Sequence, residues 1–293
     1  MSIKEFFRSE WAGVAEAWER WGPTVRAQSA AATQWILELA SVREGMSVLD
    51  LAGGTGDPAL ALARQVGPRG RVVTTDLVPG ALELTARAAR AAGLAQLRTE
   101  PADMEALPFG DATFDAVTCR LGLMFCPRPA VALAEARRAL RPGGRAAFVV
   151  WGDPAQPLFA ATLGEVGRAL AAVTAGEAHE GEGGAPAPDA PGPFRFADPA
   201  RLRAALEAAG FSDIFVEDRV VTWPFAGAGA GLWRMFLEMG GPTFQSQLDA
   251  LDAGSRRALD DRIATALDAH RRGDAVDPTA RLIGASAVRG EDR

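Results

Sequence analysis

A glycine cluster between an apolar run and a helical pattern is the stretch of this 293-residue sequence with the clearest chemistry. In SVLDLAGGTGDPALALA, Gly53, Gly54 and Gly56 follow the apolar run, and Asp57 and Pro58 come directly after them. Glycines here let the backbone approach a ligand closely, because they carry no Cβ. Ligands of open α/β sheets collect at the carboxyl ends of the strands. The pattern therefore predicts a loop that binds a nucleotide-like cofactor.

Two classes of cofactor are compatible with the spacing of this loop. The residues GTGDPA satisfy the dinucleotide fingerprint, and Asp76 follows about 20 residues later, where an acid that binds ribose belongs. A dinucleotide would place its pyrophosphate on the free N–H groups at the start of the next helix. Asp57 puts a carboxylate there and Pro58 removes a donor, so a ligand with a sulfonium and an amino group fits better. A nicotinamide-dependent oxidoreductase is kept as the alternative.

The sequence around the loop alternates between strand-length apolar runs and helical stretches, which is typical of a parallel sheet flanked by helices. The predicted strands are 47–52, 71–77, 97–100, 116–119 and 145–151, and the predicted helices between them are 58–65, 79–92 and 129–140. Asp57 and Asp198 are predicted N-caps, and RPGG at 141–144 is a predicted turn. A helix after Asp198, an extended stretch at 212–223, a helical segment at about 231–272 and a last strand in ARLIGASAVRG follow.

Four motifs in this order resemble those of the class I S-adenosylmethionine-dependent methyltransferases. They are VLDLAGGTG, VVTTDL, PADMEALPFGDATFDAVTC and ALRPGGRAAFV. Within that superfamily the sequence is most similar to the ubiquinone and menaquinone biosynthesis C-methyltransferase-like branch. The resemblance implies an α/β, Rossmann-like sheet of seven strands, six parallel and one antiparallel, with N-terminal helices and a C-terminal helical insertion that form a cap.

The resemblance also implies how S-adenosylmethionine would be held. Asp76 would bind both ribose hydroxyls, Leu77 would touch the adenine, Asp103 would accept from the adenine amino group, and Met104 would lie against the ring. Independently of the resemblance, acids at successive strand ends favour a ligand site.

The remaining cofactor residues would surround the methionyl end or lie beside it. Those implied around the methionyl part are Asp50, Ala52, Gly53, Gly54 and Gly56. Cys119 and Arg120 would lie beside the cofactor at the end of the fourth strand. For Arg120, a salt bridge at the sheet edge and an active-site role are both open.

The same reasoning divides the chain into segments. We expect an N-terminal helical lid over residues 1–40, a cofactor-binding core over 41–153, a cap insertion with a flexible loop over 154–197, a core helix and strand over 198–225, a helical cap over 226–276, and a final core strand and tail over 277–293.

Aromatic residues indicate the substrate pocket. Trp11, Trp18 and Trp21, at spacings of seven and three, are predicted to share one helix face and could cover the cofactor. An apolar pocket is typical of small-molecule sites, although each tryptophan taken alone fits a hydrophobic seam between sheet and cap better than a substrate contact. The pocket candidates are Trp18, Trp21, Met124, Phe125, Trp151, Trp223 and Trp233.

Few residues are available for acid–base or metal chemistry. The sequence has two histidines, His179 and His270, no tyrosine and one lysine, Lys4. Alignment of the reacting groups supplies much of the rate of methyl transfer, so we nominate no catalytic residue. Cys119 and Cys126 have the spacing of neither a zinc site nor a disulfide framework, so we expect no metal and no disulfide.

Charge and hydropathy limit the kinds of partner and the cellular location that we expect. A net charge of −6 gives no electrostatic footprint for nucleic acid. The start, MSIKEFFRSEW, lacks the apolar core of a signal peptide and no run is long enough to span a membrane, which favours the cytoplasm. We expect methyl transfer to an apolar or aromatic small molecule, such as a quinone-like or natural-product intermediate. The acceptor atom, a homodimer and a non-catalytic cofactor-binding role are left open.

Overall fold

Three helices precede the sheet in the computed structural model, which describes residues 1–176 and 189–291. They are α1 (Ile3–Ala12), α2 (Ala15–Gln28) and α3 (Ala30–Leu39). A capping box starts α1, because the Ser2 hydroxyl accepts from the Glu5 N–H and the Glu5 carboxylate accepts from the Ser2 N–H. The chain breaks between α1 and α2, so Trp11 lies on a different helix from Trp18. The prediction that the three early tryptophans share one helix face is wrong.

Seven strands form the main sheet. Its order is β3-β2-β1-β4-β5-β10-β6, and β10 is antiparallel to both of its neighbours. The predicted sheet, with six parallel strands and one antiparallel strand, is confirmed. Three short strands form a separate small sheet in the order β7-β9-β8. In chain order the strands are β1 (Ser47–Leu51), β2 (Arg71–Asp76), β3 (Leu97–Pro101), β4 (Phe114–Arg120), β5 (Leu140–Trp151), β6 (Ser212–Thr222), β7 (Phe225–Ala226), β8 (Arg271–Arg272), β9 (Ala275–Val276) and β10 (Thr279–Val288).

Helices cover the sheet and build a separate layer above one end. After α3 they are α4 (Ala59–Val66), α5 (Pro79–Ala91), α6 (Pro129–Ala139), α7 (Pro157–Ala160), α8 (Leu163–Gly176), α9 (Pro199–Ala208), α10 (Gly229–Met239), α11 (Pro242–Asp249) and α12 (Ala253–Asp268), with a short 3-10 helix at Leu123–Phe125. The single helical segment predicted at 231–272 is three helices. It is interrupted at Gly240 and Gly241, before Pro242 starts α11, and again at Asp252, whose side chain caps α12.

Two local predictions at helix and strand starts are wrong, and one is confirmed. Asp198 caps α9 by accepting from the Ala200 N–H. Asp57 does not cap α4, because Pro58 holds the N-cap position and no side chain caps that helix. The RPGG turn lies inside the observed bounds of β5, where Gly143 has a φ of 76° and the register against β4 shifts. Residues 177–188, which contain His179 and most of the predicted flexible loop, lie outside the described residues.

Three hydrophobic clusters hold these layers together. Alternating side chains of β1 point to opposite faces of the sheet, so Leu49 packs in the cluster with α6 and α9, whereas Val48 packs in the cluster with α3 and α4. The third cluster joins α7 and α8 to α10–α12 and includes Trp233 and Ile263. Within residues 1–176 and 189–291, no helix combines the length and apolar character needed to cross a membrane.

Candidate functional site

A cavity of about 450 Å³ opens at the carboxyl ends of the central strands. Residues from the ends of β1, β2, β4 and β5 line one part of it, and α1, α2, α10 and α11 line the other. This volume is in the range of small-molecule sites. Among the described residues, eight of the predicted cofactor residues line the cavity: Ala52, Gly53, Gly54, Asp76, Leu77, Asp103, Met104 and Arg120. Asp50, Gly56 and Cys119 are buried and do not line the cavity.

The Asp76 carboxylate is fixed by backbone donors on both of its oxygens. Oδ2 accepts from the Gly54 N–H at 2.9 Å, and Oδ1 accepts from the Val78 N–H at 2.9 Å. Burial raises the pKa of Asp76 above its ordinary value, although these backbone bonds oppose the shift. Leu77 and Met104 line the cavity beside it. This end of the site combines a fixed acceptor with apolar surface, as a ribose and a base require.

The glycine loop is tight on one side and open on the other. A Cβ on Gly53 would overlap Thr74 Oγ1 and come within 2.7 Å of Asp50 Oδ2. Gly54 has a φ of 54°, and a Cβ there would meet nothing within 4 Å. The loop is therefore pressed against β2 at Gly53 and leaves room beside Gly54. Such a loop allows a cofactor to approach the protein backbone closely.

Asp50 lies under this loop and is fully buried. Its oxygens accept from Thr118 Oγ1 at 2.8 Å and from Thr74 Oγ1 at 3.0 Å. Burial raises the pKa of Asp50 to about 7, despite the two hydroxyl bonds. Burial also raises the pKa of the neighbouring Cys119 thiol to about 12, which makes that thiol unreactive.

Replacing Asp50 with asparagine should change the pH dependence of stability. Between the ordinary pKa of 3.8 and about 7, folded wild type binds more protons than the unfolded chain, so its stability falls as pH rises. Asp50→Asn lacks this titration. Its free energy of unfolding relative to wild type should rise by about 4 kcal/mol over the whole window, of which about 3 kcal/mol falls between about pH 5 and about pH 8. Urea titrations at about pH 5 and about pH 8 measure this, and a pH-independent difference would contradict it.

Arg120 forms a salt bridge and also lines the cavity. Its Nη2 lies 3.0 Å from Asp57 Oδ2 and donates to the Asp57 carbonyl at 2.7 Å. The same carboxylate accepts from Ser29 Oγ at 2.7 Å and from Thr33 Oγ1 at 2.8 Å. The two alternatives for Arg120 are therefore compatible. The role of Asp57 as the anchor between α2, α3 and the glycine loop was missed, because these contacts join residues distant in sequence.

Three buried polar donors of residues that line the cavity lack partners. Within the described part of the chain, Trp18 Nε1, Gln28 Nε2 and Arg120 Nε are buried and form no hydrogen bond. All three residues line the cavity, and Gln28 is only 2% exposed. A buried donor without an acceptor costs free energy. An oxygen-bearing ligand group in this region would supply the missing acceptor.

The part of the cavity away from the sheet is mainly apolar. The pocket candidates Trp18, Met124, Phe125, Trp151 and Trp223 line it. The Trp11 ring lies 5.5 Å from Phe125, and the Trp151 ring lies 5.0 Å from Trp223, in edge-to-face contacts. Trp11, which the sequence suggested could cover the cofactor, lines this part as well, and sequence reasoning did not nominate these further lining residues: Phe7, Phe159, Met235, Met239 and Phe244.

Two of the pocket candidates lie elsewhere in the structure. Trp21 does not line the cavity, and its Nε1 donates to Glu238 Oε2 at 2.8 Å. Trp233 is buried in the third cluster, where its Nε1 donates to Asp260 Oδ1 at 2.6 Å. Both indole N–H groups are satisfied within the helical layer. These two tryptophans join helices rather than line the pocket.

Several ionisable groups in the lining, namely Lys4, Asp57, Asp103 and Arg120, form ion pairs. Among the described lining residues there is no histidine, and Cys126 has its thiol pKa raised by burial. In the part of the chain that the structure covers, no group of His, Cys, Asp and Glu residues could hold a metal ion. The apolar part of the cavity thus lacks an evident general base.

The central segment of the chain matches a known sequence family. Residues 48–144 match a family described as methyltransferase domain. Over 134 residues the chain is 37% identical to the ubiquinone/menaquinone biosynthesis C-methyltransferase UbiE of Idiomarina loihiensis, an alignment that covers 45% of this chain and 52% of that relative. The chain thus spans about half the length of the curated relatives it matches.

Solved structures share the fold over most of the chain. The YcgJ protein of Bacillus subtilis is 17% identical with a TM-score of 0.57, and the match covers 90% of this chain and 100% of that one. The phosphoethanolamine N-methyltransferase 2 of Haemonchus contortus, solved with S-adenosylmethionine, is 15% identical with a TM-score of 0.59. That match covers 99% of this chain and 60% of the other. At these identities the likeness concerns the fold alone.

Proposed function

Because residues 48–144 of this chain match the methyltransferase domain family, we propose that the protein transfers a methyl group from S-adenosylmethionine to an apolar or aromatic small molecule. S-adenosylhomocysteine is the second product. The observation that carries this proposal is one cavity in which the glycine loop, Asp76 and Asp103 face an apolar, aromatic half. A quinone-like or natural-product intermediate has the chemistry of such a pocket.

The sheet end of the cavity would hold the cofactor. Asp76, already fixed by two backbone N–H groups, would accept from the ribose hydroxyls. Asp103 would accept from the adenine amino group, with Leu77 and Met104 against the ring. At the other end, the open space beside Gly54 would admit the methionyl chain. The unpartnered donors of Gln28 and Arg120 would favour its carboxylate.

The residues of the apolar half would bind and orient the acceptor. When bound, the cofactor would supply an electrophilic methyl group on a sulfonium: the electron pair of the acceptor would form the new bond, the carbon–sulfur electron pair would stay on the sulfur of S-adenosylhomocysteine, and any proton lost by the acceptor would pass to water. Trp151, Trp223 and Phe125 would exclude water and hold the acceptor in line. Because the described lining offers no evident base, the acceptor would be nucleophilic at neutral pH without help.

Two alternative functions have weaker support. A nicotinamide-dependent oxidoreductase would need a helix start that binds pyrophosphate, and here Pro58 at the N-cap of α4 has no N–H to donate, while the adjacent Asp57, which lines the cavity, adds a carboxylate. A non-catalytic cofactor-binding role is motivated by the lack of a base and predicts binding without turnover. The cytoplasmic location, the lack of a nucleic-acid partner and a homodimer stay predictions.

Turnover tests the proposed reaction. The purified chain is incubated with S-adenosylmethionine that carries a labelled methyl group and with a panel of apolar phenols, hydroquinones and amines. We expect label in at least one organic product, formed with saturation kinetics and with one S-adenosylhomocysteine per methyl. Binding of S-adenosylhomocysteine without turnover on any panel member would favour the non-catalytic role instead.

A further inference from the structure

The lysine of α1 reaches the cofactor half of the cavity. Lys4 Nζ lies 2.5 Å from Asp103 Oδ2 and 2.6 Å from Glu105 Oε2, and Lys4 itself lines the cavity. Lys4 is the only lysine in the sequence. Burial alone would lower the pKa of Lys4, but its bonds to the two carboxylates raise the pKa above its ordinary value. The ammonium is therefore charged at neutral pH.

Among the described residues, Lys4 supplies one of the two hydrogen bonds that orient the Asp103 carboxylate. The other is the Glu105 N–H, which donates to Asp103 Oδ1 at 2.9 Å. Glu105 keeps a second cation if Lys4 is removed, because Arg128 Nε donates to its Oε2 at 2.7 Å. Asp103 has no second cation among the described residues. Loss of the lysine would thus free Asp103 to rotate and would leave the buried Glu105 paired.

The same helix also covers the cavity and is held independently at its other end. Phe7 and Trp11 of α1 line the cavity, and their rings lie 5.6 Å and 5.5 Å from Phe125. Near the end of α1, Glu10 accepts from the Thr243 N–H and from Thr243 Oγ1 at 2.8 Å. Removing the Lys4 contact is therefore separable from releasing α1.

We propose that Lys4 is a positioning residue for recognition of the cofactor's base, and that it fixes the Asp103 carboxylate in the orientation that accepts from a 6-aminopurine. The proposal rests on the proposed function, since it takes Asp103 as the acceptor for adenine. It assigns the N-terminal helix a part in cofactor selectivity as well as in covering the site. A 6-oxopurine presents an oxygen where the amino group would be, so a fixed carboxylate rejects it.

The test compares two ligands that differ only at this position, S-adenosylhomocysteine and S-inosylhomocysteine, on the full chain. Wild type should prefer the amino compound by about tenfold or more, the effect of one charge-assisted hydrogen bond. Lys4→Met should reduce that preference to within about threefold, and Lys4→Arg should restore most of it. Glu10→Gln, which loosens the other end of α1, should keep the wild-type preference.

The outcomes separate this proposal from the proposed function. If wild type does not bind S-adenosylhomocysteine, the proposed function fails. If wild type binds it but Lys4→Met weakens both ligands equally, Lys4 only holds the helix and the proposal is wrong. Should the variant not fold, acylation of the single lysine side chain, followed at its peptide by mass spectrometry, replaces it. S-adenosylhomocysteine should slow that acylation more than S-inosylhomocysteine does at equal occupancy, and equal protection would overturn the proposal.

Discussion

Asp76→Ala is expected to weaken binding of S-adenosylhomocysteine by roughly 100-fold or more. The change removes a carboxylate that would accept from two ribose hydroxyls, and each such charge-assisted bond contributes about 1.5 to 3 kcal/mol. It also removes the acceptor for the Gly54 N–H, which helps to hold the glycine loop. Isothermal titration calorimetry measures the effect.

A matched control separates this result from general damage to the fold. Asp111→Ala removes another aspartate, whose side chain is 74% exposed and pairs with Arg138 away from the cavity. We expect this variant to bind S-adenosylhomocysteine as wild type does. If Asp76→Ala kept wild-type affinity while folded, the assignment of the ribose to this carboxylate would be wrong.

Alanine at the two adjacent glycines of the loop should separate stability from binding. Gly53→Ala would push a methyl group into Thr74 and Asp50, and should destabilise the fold by roughly 3 kcal/mol. Gly54→Ala meets no atom within 4 Å, so only its positive φ opposes it, at about 1 kcal/mol. Its methyl group would occupy the space proposed for the methionyl chain and should weaken S-adenosylhomocysteine binding by roughly tenfold or more.

Urea titration and calorimetry on both variants check this pair of expectations. The change in the unfolding midpoint should be the larger for Gly53→Ala. If Gly54→Ala remains folded, its affinity for S-adenosylhomocysteine should be measurably lower than that of wild type. Equal loss of stability at the two positions would show that the loop is not tight on one side and open on the other.

The sequence predicted the sheet well because its signals are local. Apolar runs bounded by glycine and proline place β1 to β5 within a few residues of their observed bounds, although β5 begins earlier than expected. The resemblance implied the eight predicted cofactor residues that line the cavity, and for the acids Asp76 and Asp103 the same prediction follows from strand ends, where the topology brings side chains together. The Asp198 cap is equally local, since its partner lies two residues away.

The errors concern contacts between residues distant in sequence. Asp57 has the pattern of a helix cap, but Ser29, Thr33 and Arg120 provide three partners for its carboxylate. Trp21 was predicted to line the pocket, but in the structure its indole N–H donates to Glu238. Lys4 could not be placed beside Asp103 from the sequence, because 99 residues separate them. Such pairings depend on how the helical layer packs on the sheet.

The central claim is tested most directly by titrating the full wild-type chain, in parallel, with S-adenosylhomocysteine and with NADH. The account predicts saturable binding of S-adenosylhomocysteine at about micromolar concentration, with a stoichiometry of one per chain, and no binding of NADH in the same range. Binding of NADH without binding of S-adenosylhomocysteine would contradict the account, because the glycine loop would then hold a dinucleotide.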